Sequence, residues 1–64
     1  MKVKYDKEND VLYIQLSNNT VAESDSEKPG IILDYDLQQN IVGIEVLNAS
    51  KKMETPLKVE YEVA

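Results

Sequence analysis

Three carboxylates have the types and spacing to do chemistry. Asp34 and Asp36 are two residues apart, which puts both on one face of a strand, and Glu45 falls on the run that would pair with that strand. Calcium and magnesium favour such oxygen ligands, although a dedicated site gathers six or more of them, often on a loop with glycine at a fixed place. The plainer alternative has Asp34 and Asp36 flank a turn, hydrogen-bond its backbone and keep that sheet face wet. Paired carboxylates also serve as general acid and base when burial drives their pKa values apart, but nothing in the sequence signals such burial. There is no His and no Cys. The remaining nucleophile candidates are hydroxyls and Lys, and none stands beside a recognisable base or a glycine-rich anion loop. The expectation is a protein that is not an enzyme and uses no cofactor.

The elements that must position these residues follow from period-two alternation, because successive side chains of a strand point to opposite faces. Val3 and Tyr5 alternate with Lys2 and Lys4, turn-forming residues fill 6–10, and Val11, Leu12, Tyr13, Ile14, Gln15 and Leu16 complete a hairpin. Leu12, Ile14 and Leu16 share the core face. Residues 17–20 break the pattern, an acidic stretch runs to the turn dipeptide Pro29-Gly30, and a short edge strand is placed at 20–24. A second hairpin joins 31–35 to 41–47, with Asn40 as the candidate for positive φ. Asn48 caps a short helix that Thr55-Pro56 stops. Residues 57–63 alternate again and predict one more strand.

The chain has 64 residues, enough for one hydrophobic core and one domain, 1–64. Chains this small usually need a disulfide, a metal or a partner copy, and without Cys or His only oligomerisation remains. Seven basic residues, all Lys, against twelve acidic ones give a net charge of −5, which repels nucleic acid and favours a basic protein partner. No stretch has the apolar length of a signal peptide or a membrane span, so no membrane association is expected and the cytoplasm is the expected location. Asn18-Asn19-Thr20 and Asn48-Ala49-Ser50 match the glycosylation acceptor pattern but read as a turn and a helix cap.

Lys4-Tyr5-Asp6, the run 10–16, Val21-Ala22-Glu23-Ser24, Pro29-Gly30, Asp34-Tyr35-Asp36 and the run 42–50 together resemble the YuzE-like family of small prokaryotic proteins, a domain of unknown function. The resemblance covers about residues 1–52 and leaves 57–63 outside. It departs from the family where Gln39-Asn40 stand in place of the glycine often found in that turn. The resemblance carries no catalytic residue; it implies a binding role, since some relatives are suspected antitoxin-like partners of toxins.

The expected fold is α+β, mainly β: a small antiparallel meander of four to five strands with one short helix near the C-terminus. The function expected is a protein-interaction module, with a small-ligand or divalent-cation binder using Asp34, Asp36 and Glu45 as the competing class. Apolar residues fall on both faces of the sheet, and the interface candidates are Val11, Tyr13, Ile32, Ile41, Leu57, Val59 and Tyr61. A homodimer is expected, with 57–63 pairing to an edge of the second subunit.

Overall fold

The computed structural model of the chain describes residues 1–54 and 58–64. Five strands, β1 (Lys2–Asp6), β2 (Val11–Gln15), β3 (Glu23–Lys28), β4 (Ile31–Tyr35) and β5 (Ile41–Leu47), precede a single helical turn, α1 (Ala49–Lys52). They form one wholly antiparallel sheet in the order β1-β2-β5-β4-β3. The fold is therefore mainly β as expected, an antiparallel sheet of five strands where four to five were expected, with one short helix near the C-terminus. The hairpin β1-β2 and the meander β3-β4-β5 are joined by pairing β2 to β5, which makes the seven-residue β5 the central strand.

Two elements differ from the sequence reading. The edge strand expected at 20–24 lies at Glu23–Lys28 instead, fully exposed along its length. Its sequence, ESDSEK, has poor strand propensity. Pairing with β4, Glu23 opposite Tyr35 and Asp25 opposite Leu33, supplies what propensity does not. Of the strand expected at 57–63, Leu57 lies outside the described residues, and 58–63, with Ala64, are irregular and exposed rather than paired into the sheet. Positive φ falls on Gln39 (67°) rather than Asn40, and also on Asp10 and Asn48.

Opposed residues of an antiparallel pair share a face. On the first face, Tyr5, Leu12, Val46 and Ile31 line up across four strands, and Val3, Ile14, Ile44 and Leu33 form the next row. The helix packs on the former row, where Ala49 joins buried Leu12 and Val46, with Ile14, Ile31, Ile44 and Met53 packed at the margin. Val42, beside the irregularity at Asp34 and Tyr35, is 2% exposed.

Carboxylates tie both ends. At one end the Asp10 carboxylate accepts hydrogen bonds from the Tyr5 hydroxyl (2.6 Å), the Ser50 amide (2.9 Å) and the Ser50 hydroxyl (2.7 Å), while its carbonyl accepts the Ala49 amide (2.9 Å). Asn48, the expected cap, makes no side-chain capping bond; Asp10 caps the helix from forty positions away. At the other end Asp36 accepts the Gln38 and Asn40 amides, each at 2.9 Å, and the Asn19 side-chain amide at 3.0 Å. Asn19 belongs to the connection that crosses the sheet end from β2 to β3, so Asp36 fixes that crossing as well as the β4-β5 turn.

Hydrogen bonds from Ser50 and then Tyr5 hold the Asp10 carboxyl below the usual carboxylate range, and those from Asn40 first do the same for Asp36. Their stabilisation is complete above the ordinary value of 3.8 and is lost as pH falls through the lower folded values. Asp10→Asn should therefore lower the urea midpoint at about pH 7 and lie closer to the unaltered protein at about pH 3. An undiminished difference at low pH would show that the Asp10 charge is not what secures the helix.

Candidate functional site

The second face of the sheet holds the candidate site. Lys4, Tyr13, Glu45 and Ile32 stand opposite one another in sequence of strands, and Gly43 pairs with Gln15 on one side and Asp34 on the other. Gly43 is buried and has no side chain, so the Tyr13 ring lies directly over it. A Cβ at position 43 would meet the tyrosine hydroxyl and sit 2.8 Å from Cζ. The ring thereby crosses β5 and brings its hydroxyl to Asp34 on β4. This is the close approach for which a glycine inside a strand is suited.

Asp34 is 4% exposed and accepts a 2.6 Å hydrogen bond from the Ser24 hydroxyl on β3. Glu45 reaches it from β5. Loss of water contact, then the hydrogen bond and charge of Asp34, push the Glu45 carboxyl above its usual range, so it keeps its proton to higher pH and offers it to Asp34. Burial, then the Asp34 charge, likewise raise the Tyr13 phenol. Together with Lys4, Asp6, Asn9 and Val11 these groups line an open groove of about 530 Å³.

The three carboxylates singled out in the sequence are thus divided. Asp34 and Glu45 meet, whereas Asp36 follows the end of β4 and spends its oxygens on turn and loop donors. Among the described residues no group of three or more His, Cys, Asp or Glu is gathered to hold a metal ion. Asp36 serves the turn-holding role that the sequence left as an alternative. Of the interface candidates, Val11, Tyr13 and Ile32 share this second face, with Glu45 standing between Tyr13 and Ile32 in the ladder. Ile41 is exposed opposite Tyr35, and Val59 and Tyr61 are exposed in the irregular segment. Sequence reasoning missed Ser24 and Gly43. The glycine inside a β-branched run was the available signal for the second; nothing distinguishes Ser24 until the register of β3 is known.

The first face carries a different surface. Its row Val3, Ile14, Ile44 and Leu33 adjoins the helix-covered cluster, against which Ile14 and Ile44 pack, and stays partly exposed, with Val3 at 37%. Across the ladder this row ends at Asp25, between Glu23 and Glu27 on the acidic edge strand.

A model of the family DUF2283, proteins of unknown function, matches residues 2–50. The chain belongs to that family. No curated protein and no solved structure matches it. The DUF2283 match takes in all five strands and ends at Ser50, the residue that Asp10 binds. Among the described residues of this DUF2283 chain no helix is long and apolar enough to cross a membrane.

Two outcomes follow from the site geometry. Because the folded pKa of Glu45 is raised, the fold is favoured by the protonated form at low pH and loses that advantage as pH rises through the folded value. Glu45→Gln should accordingly raise the melting temperature at about pH 7 and change it little at about pH 4. Equal behaviour at both would place Glu45 in ordinary solvent. Gly43→Ala should cost about 1–3 kcal/mol through overpacking against Tyr13, more than the roughly 0.5–1 kcal/mol alanine gains over glycine in a strand. In a double-mutant cycle that cost should disappear once Tyr13 is alanine.

Proposed function

We propose that this protein is a non-enzymatic protein-interaction module, and that it binds a basic partner on the first face of its sheet. The observation that carries the reading is the row Val3, Ile14, Ile44 and Leu33, whose inner members pack against the helix-covered cluster while Val3 and Leu33 keep part of their surface in solvent, and which runs into the acidic strand ESDSEK. An apolar stripe beside an acidic rim suits an amphipathic segment carrying Lys or Arg next to its apolar side chains. The net charge of −5 adds long-range attraction for such a partner. The likeness to YuzE-like proteins agrees with this reading, and an antitoxin-like role, masking a basic toxin in the cytoplasm, is its most specific form.

A second reading, small-ligand or cation binding, is favoured by the open groove whose floor includes the Asp34–Glu45 pair. Calcium titration followed by NMR addresses it: shifts confined to Asp34, Glu45 and Tyr13 support it, and unmoved resonances exclude calcium as its ligand.

Leu33 and Ile32 are neighbours on opposite faces of β4, which separates the two faces experimentally. Affinity capture with the unaltered chain should retain a basic protein, and Leu33→Glu should weaken that complex at least about tenfold, whereas Ile32→Glu should leave it intact. Capture of no basic protein, or equal effects of the two substitutions, would overturn the reading.

A further inference from the structure

The two edges of the sheet differ in a way that selects a strand to cover one of them. β3 presents Glu23, Asp25 and Glu27 along ESDSEK, while β1 presents Lys2 and Lys4 within KVKYD, and among the described residues β1 pairs with β2 alone. An unpaired edge offers a row of backbone donors and acceptors to any strand of suitable chemistry. The segment 58–64 has that chemistry. Val59, Tyr61 and Val63 alternate with Lys58, Glu60 and Glu62. Lys58 and Glu60 already lie on the same side, 3.0 Å apart, as alternation requires. In the single chain the apolar members are left exposed, Tyr61 at 83%, although Lys58 and Val59 border the hollow formed by Val3, Tyr5, Leu12 and Met53.

We infer that residues 58–63 of a second copy add antiparallel to the β1 edge, and that two chains exchange these segments reciprocally to form a symmetric dimer. One register satisfies every position. With Val59 opposite Tyr5 and Tyr61 opposite Val3, Met1 meets Val63, so the apolar residues extend the first face of the sheet. In the same register Asp6 meets Lys58, Lys4 meets Glu60 and Lys2 meets Glu62, each an opposite-charge pair on the second face. The other edge suits the same segment less well: with its apolar residues on the first face they would meet Glu23 and Asp25, and turned over it would set Glu60 and Glu62 against those acids. A second copy is the occupant because the chain's own segment, though beside Val3 and Tyr5, leaves its edge open and its apolar residues in water. Reciprocal exchange buries those residues twice over and supplies what a chain of this size lacks.

Charge reversal on the full chain tests this, with light-scattering mass as the readout and far-ultraviolet circular dichroism as the check on folding. The unaltered protein should have twice the chain mass of 7.3 kDa. The double variant Lys2→Glu with Lys4→Glu, and the double variant Glu60→Lys with Glu62→Lys, should each dissociate at least about tenfold more readily. An equimolar mixture of the two variants should restore the dimer, since each altered edge then meets an oppositely altered segment from the other chain. A monomeric unaltered protein, variants that dimerise normally, or a mixture that stays monomeric would each overturn the inference; the last would assign the segment to its own chain. None of these outcomes depends on Leu33 or on a basic partner, so this inference and the proposed function fail separately.

Discussion

The carboxylate of Asp10 is the interaction on which the packing of this chain depends. Among the described residues a sheet of five short strands has two faces and a single helical turn to cover either of them. That turn is far too short to hold itself together, since helix nucleation is costly and most helical stability in proteins comes from packing. Asp10 supplies the missing restraint by binding the first turn of the helix and Tyr5 of β1 at once, which lays Ala49 on Leu12 and Val46. Asp36 does the same work at the opposite end for a loop and a turn. Hydrogen bonds to ionised acceptors are stronger than neutral ones, and here they stand where a larger protein would use apolar burial.

What could be read in the sequence was set by how much each element owes to its own residues. The hairpin of β1 and β2 and the hairpin of β4 and β5 carry alternation and β-branched residues within single segments, so their existence and faces follow directly. β3 does not. Its Ser and acidic residues form a strand because β4 presents a ladder to them, a tertiary cause invisible in a local window. The segment 58–64 is the converse case: its alternation is unbroken, yet alternation states only that a strand would be amphipathic and not which edge, if any, it pairs with.

The candidate site was legible in part for the same reason. Asp34 and Glu45 can be placed together from sequence because both lie in strands whose pairing the alternation implies. Asp36 was grouped with Asp34 on the assumption that the strand continues, but β4 ends at Tyr35, and the next carboxylate turns to the backbone amides of its own loop. Asn48 fails as a cap for a related reason: its left-handed backbone turns the chain into the helix, and the capping acceptor comes from Asp10. Tyr13 acquires its role only through the absence of a side chain at Gly43, a relation between two strands rather than a property of either.

The division of charge along the sheet gives these parts a common logic. Small single-layer sheets must protect two edges, and a charged edge strand is a standard means of doing so. In this chain β3 carries Glu23, Asp25 and Glu27, whose repulsion guards that edge, while β1 carries Lys2 and Lys4 with apolar Val3 and Tyr5 before Asp6 at its end. The unit matched by the family ends at Ser50, where Asp10 closes the fold. Residues 58–64 lie beyond that closure, carrying charges opposite to those of β1 and the same as those of β3. A segment that lies beyond the family unit and carries charges complementary to Lys2 and Lys4 has the chemistry that the inferred exchange between chains requires.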